Sequence, residues 1–544
     1  RQMCIRDRNI KSLYAICTAA LLAGCTDLDV NIESQYTQYP INDIAVEAKN
    51  ADVYFHLRDV FGRRYMEAMS LSSDEYTAVS YGGGWYDSGC YSHPSLHDFR
   101  TEDASIDWMP TVISGITKAN TVIRDLGGEE AAPADIAPAR AMRAFFTFII
   151  MDCWGDVPIL DYLPVTNDEV VRAPRAEVAR WIESELLEII PQLTDEVSDN
   201  TYGKPTKWMA EALLAKLYIN WAVYTASSVE QYEAATAENE KLNDCIRICD
   251  DIIASGKFNL GSMPYAEKFG PDNGSQVEDF IYAMPYDTYT ATGMQYGRAR
   301  TWKNAGDVEK SYYGMKLSNS AGGYITMNPE FSRLFCLEGD IRNNSVIGDT
   351  VHVYDPNTYQ PTSEIALDEN GKPIVLTQTV SLEIPDDMQL GVGDNTKGYS
   401  QGYRSVKFFV IDDDYKNGRN QSNDLPIFRY ADILLTKAEA IVRGGTATNG
   451  ETAMSLFNQI REYAQAPLLA TTPSLQDLLD ERGREFFDEN WRRNDMIRFG
   501  TFENEYGFHK KDFPTARFEK TCRIFPLHRD VLNTYPHWTQ NPGY

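Results

Sequence analysis

Two stretches of the chain carry aromatic rings that no helical or strand period explains. The first holds Tyr76, Tyr81-Gly82-Gly83-Gly84-Trp85-Tyr86, Tyr91 and His93; the second holds Tyr286, Tyr289, Tyr296, Arg298, Arg300, Trp302, Tyr312 and Tyr313. Three consecutive glycines free the backbone to project the Trp85-Tyr86 pair. A sugar ring offers C–H groups that lie flat on an indole or phenol face, and its hydroxyls need carboxylates, amides or guanidinium groups at the rim. Asp74, Glu75 and Asp87 stand ready for that rim. The candidate ligand contacts are therefore Trp85, Tyr86, Tyr81, Tyr91, Asp74, Tyr296, Arg298 and Trp302, with Trp85 and Trp302 helping to form one platform. The competing reading packs each ring beneath its own loop.

Catalysis finds less support. Glycoside hydrolysis needs two carboxylates at a set separation. Asp74-Glu75 and Glu338 with Asp340 are candidates, but such pairs arise by chance among 79 Asp and Glu residues. No Gly-x-Ser-x-Gly, His-Glu-x-x-His or phosphate-loop motif occurs. The expectation is a binding protein without catalytic residues. A peptide- or protein-binding scaffold is the alternative, and a surface glycoside hydrolase the weaker one. No cofactor is expected. Asp412-Asp413-Asp414, followed by Asn417-Gly418, lacks the ligand spacing and the closing Glu of a calcium loop, and reads as a solvated acidic loop.

The N-terminus carries a different chemistry. Arg6, Arg8 and Lys11 precede a short apolar run over 13–22, and Leu22-Ala23-Gly24-Cys25 follows. This is a signal-peptide layout with a cysteine at the cleavage point. Residues 1–24 read as a lipoprotein signal, Cys25 as the lipidated residue and 25–44 as a polar tether. The run is too short to span a bilayer, so the membrane contact is a lipid anchor. The formal net charge of -28 argues against nucleic acid and anionic headgroups, and suits a neutral or cationic ligand. Cys90, Cys153, Cys245, Cys249, Cys336 and Cys522 are too scattered for a disulfide framework and read mostly as buried thiols.

The elements that must position these residues read as helices first. Amphipathic or apolar helices are expected over 44–70, 106–126, 137–154, 175–190, 206–225 and 230–255, then again over 430–443, 451–463 and 474–498. The 206–225 segment is apolar nearly all round and should be central. Ser474 with Asp477 forms a cap. Residues 258–323 are loop-rich, and 349–380 should hold short strands. Pairs of helices at this spacing suggest tetratricopeptide-like hairpins, although the 34-residue signature is absent. Arg482, Arg484, Glu485, Asp488, Glu489, Arg492, Arg493, Asp495 and Arg498 interleave with Phe486, Phe487 and Trp491, which predicts a structural ion-pair network.

Ordered blocks along the chain resemble the SusD/RagB family of outer-membrane nutrient-binding lipoproteins. They are Trp108 with Ile116 and Ala119-Asn120; Ala139-Arg140-Ala141-Met142-Arg143-Ala144-Phe145-Phe146; and Trp154-Gly155-Asp156-Val157-Pro158. Gly203-Lys204-Pro205-Thr206-Lys207, Phe428-Arg429-Tyr430-Ala431-Asp432, Lys437-Ala438-Glu439-Ala440, Arg492-Arg493-Asn494-Asp495 and Gln540-Asn541-Pro542-Gly543-Tyr544 follow in order. Glu462-Tyr463-Ala464 departs from the family pattern. The resemblance implies a mainly α fold with tetratricopeptide-like hairpins, a loop-rich ligand face and a few short strands. It implies one domain over 45–544, with an N-terminal part to about 260 and a C-terminal part from about 261. It also implies an oligosaccharide ligand, a SusC-like TonB-dependent transporter as partner, a lipid-anchored outer-membrane location facing the exterior, and no catalysis. Asp27 and Asp29 behind Cys25 resemble a surface-export signal.

Overall fold

Helices dominate, and local sequence explains where most of them begin and end. The structure, a computed structural model, describes residues 43–544 except 301–316, 318, 320–321, 368–370, 385–387, 412–413, 415, 508–512 and 514. Cys25, Trp302, Tyr312, Tyr313, Asp412 and Asp413 fall outside the described residues, as do the expected signal and nearly all of the tether. The body spans Ala48–Tyr544.

The longest helix, Pro133–Trp154, begins four residues before the expected start because Pro133 suits the first turn, where its missing N–H would be unpaired anyway. Pro138 is tolerated inside because the carbonyl it leaves unpaired belongs to exposed Ala134. From Ala141 to Trp154 every residue is buried. This helix packs between Met109–Asp125 and Arg175–Ile189, while Lys207–Ile219 pairs with Leu242–Ala254, and Tyr430–Val442 with Ala453–Tyr463. Trp208 to Ile219 are all buried, as an all-round apolar helix requires. Thr206 caps it by accepting from Met209 N at 3.3 Å.

Four expected helices are corrected. The 44–70 helix ends at Tyr54 and resumes through the π-helical Val60–Arg64 into Tyr65–Leu71. The 206–225 helix breaks at Asn220, whose side chain donates back to Lys216 O at 2.9 Å, and resumes as Trp221–Thr225. The 230–255 helix starts only at Leu242, because Ala234, Ala235 and Ala237 bring no large apolar face to bury and propensity alone does not hold a helix in water. The 474–498 helix splits into Leu475–Phe486 and Arg492–Phe499. Asp488 and Asn490 stand between them at φ 67° and 69°. That turn aims Asp488 at the Tyr76 hydroxyl, which donates to it at 2.5 Å, and Asn490 at Tyr296. The Ser474–Asp477 capping box forms as expected.

Among the described residues the strands make five two-stranded sheets. Two matter for the site: Tyr76–Ala78 runs antiparallel to Ile325–Met327, and Phe280–Met284 to Leu425–Arg429. The expected short strands occur at His352–Asp355, Gln360–Ile365 and Val375–Leu376. All six described cysteines are free, four of them buried.

The charge-dense run is buried with its aromatics. Arg342 donates to Asp340, Glu481 and Glu485 at 2.8–3.0 Å. Arg429 donates to Asp279, Glu485 and Glu489 at 2.7–2.8 Å. Arg482 bridges Asp432 and Asp495, and Arg498 bridges Glu439 and Asp495. Phe486, Phe487 and Trp491 lie at 3%, 0% and 4% exposure within this set. Burial alone would raise the Glu481 carboxyl, but Arg342, Arg484 and Arg461 overcome it and hold its pKa at about 2.

Removing one partner of such a set leaves buried charge uncompensated, at a cost of about 3–5 kcal/mol. Glu481→Gln should lose stability on that scale at pH 7, read as a lower denaturant midpoint. The folded pKa lies below the ordinary 4.5, so this contribution is full above pH 4.5 and is lost as the pH falls towards 2. The variant's acid limb should therefore be shallower than that of the wild type; parallel limbs would sink the assignment.

Candidate functional site

The Trp85 loop grows from the Tyr76–Ala78 strand and is fastened at its base. Val79 N donates to Tyr324 O at 3.0 Å, Ser80 N to Leu390 O at 3.1 Å, and Gly82 N to Gly393 O at 2.9 Å. Tyr81 and Gly84 exchange backbone bonds of 3.3 and 3.0 Å, closing a tight turn in which Gly82 and Gly83 take φ of 56° and 76°. Beyond the glycines, Trp85, Asp87 and Ser88 also lie in the left-handed region, at 71°, 43° and 58°. Each such residue costs on the order of 1 kcal/mol or more and persists only where its surroundings over-determine it. Here they do. Gly89 N donates to Tyr86 O at 2.8 Å, and a Cβ on Gly89 would meet the His93 ring at 2.1 Å. His93 is in turn fixed by Asp103 at 2.8 Å.

Trp85 is half-buried and stacks on Tyr324, with ring centroids 4.5 Å apart and planes 18° from parallel. Tyr91 meets the same Tyr324 ring at 4.5 Å, and Tyr81 lies 6.4 Å from Trp85. The Tyr81 hydroxyl donates to Gly322 O. Gly322 must be glycine: a Cβ there would lie 2.8 Å from the Trp85 ring and 2.9 Å from Arg298 O. Beneath the rings sits Glu67, wholly buried, accepting from Tyr324 OH at 2.9 Å and from Arg63 and Arg64 at 3.0 Å each. Arg63 also donates to Tyr91 OH at 3.3 Å. Burial, with Glu67 adding to it, pushes both the Tyr324 and Tyr91 phenols above their ordinary value.

The structure brings together Tyr81, Trp85, Tyr91 and Arg298, but only Trp85, Arg298 and the neighbouring Tyr86 reach the surface; Tyr81 and Tyr91, 4% and 3% exposed, are corrected to rings that support the stack from within. It does not bring Tyr296 or Asp74 to this surface. Tyr296 is 1% exposed; its hydroxyl accepts from Asn490 at 2.6 Å, and Arg300 covers its ring at 4.4 Å. Asp74 is held by Arg492 through two bonds of 2.7 Å, so its oxygens face an arginine rather than a rim. Tyr286 is buried, donating to Arg58 O at 2.6 Å, while Tyr289 is exposed. Sequence reasoning missed Tyr324 and Glu67. Tyr324 follows Gly322-Gly323 as Trp85 follows Gly83-Gly84, and that repeated Gly-Gly-aromatic pattern was the available signal. Glu67 sits in a short helix and carries none.

One member of each candidate carboxylate pair is likewise committed to an arginine, Asp74 to Arg492 and Asp340 to Arg342. Both Asp340 oxygens accept from Arg342. Glu75, beside Asp74, is 1% exposed with neither oxygen hydrogen-bonded, and burial followed by Asp488 pushes its pKa up to about 8. Among the described residues no group of three or more His, Cys, Asp or Glu could hold a metal ion. Asp414, the described member of the acidic triplet, accepts from Ser422 N at 3.1 Å and Ser422 Oγ at 2.8 Å.

Glu75 gives a pH test. Its folded pKa lies above the ordinary 4.5, so between pH 4.5 and 8 the unfolded chain is ionised while the folded chain keeps its proton. Stability therefore falls as the pH rises through that window. Glu75→Gln removes the titration, and its melting temperature should gain on wild type steadily from pH 5 to pH 8. A constant offset across the series would contradict a protonated Glu75.

Comparison with known proteins agrees with this architecture. A sequence profile of the SusD family matches residues 391–544, and one described as "Starch-binding associating with outer membrane" matches residues 28–219. The starch-binding protein SusD of Bacteroides thetaiotaomicron is 25% identical over 433 residues, 75% of this chain and 72% of that protein. A SusD-like protein of Bacteroides ovatus is 24% identical over 510 residues, 90% of this chain and 82% of that protein. Among solved structures, a laminarin-binding SusD-like protein superposes with a TM-score of 0.69 at 20% identity, covering 92% of this chain and 100% of that one. Surface glycan-binding protein A from Bacteroides thetaiotaomicron, in complex with laminarihexaose, gives a TM-score of 0.64 at 18% identity, covering 92% and 99%. At these identities the structural likeness establishes the fold.

Proposed function

The chain belongs to the SusD/RagB family, a family of glycan-binding proteins associated by name with the outer membrane, and on that premise we propose that it captures oligosaccharides at the cell surface and passes them to a SusC-like TonB-dependent transporter. Cys25 carries the lipid that keeps the body beside that transporter. The relatives named for starch and laminarin support a glycan as ligand. The observation that carries the reading is the Trp85 loop itself: three non-glycine residues held in left-handed conformation, Trp85 among them, with its half-buried indole stacked on Tyr324. Strain of that kind is retained where it presents a side chain. The reading is binding without turnover, and the ties of Asp74 and Asp340 to arginines support it.

Trp85→Ala should weaken binding of a retained glycan about ten- to a hundredfold, on the order of 1–3 kcal/mol for a lost aromatic anchor, with no change in melting temperature beyond a few degrees. Trp302→Ala, two residues beyond Arg300, is the companion variant. Titration calorimetry reads both, and wild-type affinity in each would end the platform proposal.

A further inference from the structure

Three guanidinium groups gather in the corner beneath Trp85 around one buried carboxylate, with Asp87 exposed in the Trp85 loop itself. Arg63 and Arg64 share one buried carboxylate, Glu67, with Asp107 acting on Arg64 from the exposed side. Arg298 adds a third guanidinium. It is half-buried, its Nη1 donates to Gln295 Oε1 at 3.2 Å, and its Nε is buried without any hydrogen-bond partner. Among the described residues no carboxylate pairs with it. Its backbone oxygen holds Gly322 N at 2.7 Å and Gly323 N at 3.0 Å, which seats it against the Trp85–Tyr324 stack, and its charge acts on the Tyr324 phenol together with that of Arg63.

A half-buried guanidinium whose one side-chain partner is the neutral Gln295 oxygen has given up part of its hydration for a weak bond, and that loss is costly. Neutral hydroxyls repay that cost weakly. A carboxylate or sulfate oxygen repays it better, because charge-assisted bonds to a guanidinium are roughly twice as strong and two can form in parallel. The net charge of -28 does not oppose this at close range. At physiological salt the Debye length is about 8 Å, so distant carboxylates are screened and the groups in contact with the ligand decide.

We infer that the glycan taken by the Trp85 platform is acidic, bearing a carboxylate or sulfate that Arg298 receives. This rests on the platform reading above. It also replaces the expectation, drawn from overall charge, of a neutral or cationic ligand.

The test uses the full-length protein, its Arg298→Gln, Arg298→Lys and Trp85→Ala variants, and two matched polymer pairs at about 150 mM salt. The pairs are polygalacturonate with its methyl ester, and chondroitin sulfate with its desulfated, carboxyl-reduced form. Wild type should bind at least one acidic polymer about tenfold or more tighter than its neutral partner. Arg298→Gln should abolish that preference with a melting temperature within a few degrees of the wild type, and Arg298→Lys should restore part of it. Trp85→Ala should weaken both forms of the pair. Equal affinity for both forms, an acidic preference that survives Arg298→Gln, or retention of neither acidic polymer overturns the inference. If Trp85→Ala alters neither form, the platform reading fails instead.

Discussion

Asp279, Asp432, Glu439, Glu481, Glu485, Glu489 and Asp495 are all buried, and each is met by at least one buried arginine or lysine. Nothing in the hydrophobic effect asks for such an arrangement, and well-packed apolar residues would often serve stability as well. What it does impose is registration. A buried carboxylate one turn out of place would leave both itself and its arginine unpaired, at a cost of several kcal/mol against a total stability of about 5–15 kcal/mol. The ladder therefore permits one relative placement of the segments it joins. These segments are distant in sequence: Arg498 reaches Asn220 at 3.0 Å, and Asn494 reaches Asp152 at 2.8 Å. The C-terminal helices are thereby locked to those of the N-terminal half.

The same ladder sets the floor of the ligand face. Asp488, in the left-handed turn that splits the two C-terminal helices, accepts from Tyr76 and Ser405 and pairs with Arg300. Arg492 clamps Asp74 from the following helix. Tyr76 begins the strand from which the Trp85 loop departs. A strained loop needs a rigid foundation, since strain stored on a yielding base would simply relax. Strand, turn and ion pairs together supply one, and this explains why Asp74 and Tyr296, which composition places beside the ligand, are spent on structure.

Much of the scaffold was legible in the sequence. The 3.6-residue period found the helix around Ile182, long apolar runs found those around Phe145 and Leu214, and the Ser474–Asp477 cap was read correctly. The errors fell where periodicity has no say. Asp488 and Asn490 break a helix through backbone conformations that no propensity scale favours at those residues. Alanines at 234–237 look helical but have nothing to bury. At the site, Trp85 stood out because glycines flank it and no period accounts for it. Tyr324 did not, because it lies beyond the two aromatic stretches that drew attention, although Gly322-Gly323 precede it. Its partnership with Trp85 joins residues about 240 positions apart, set by Gly322 packing and by Glu67 below.

Charge shows the same divide between sum and arrangement. A net charge of -28 describes the field far from the protein, where salt removes most of it. Close to the Trp85 stack, the two arginines that share Glu67 and the unpaired Nε of Arg298 matter more than all the distant carboxylates together. Composition cannot report this, because it weights a residue 30 Å away equally with one in contact. A binding face is a local departure from the average of its surface. The features that mark this one are all departures: left-handed backbone at non-glycine residues, an indole half-exposed over a phenol, and an arginine with no carboxylate partner among the described residues.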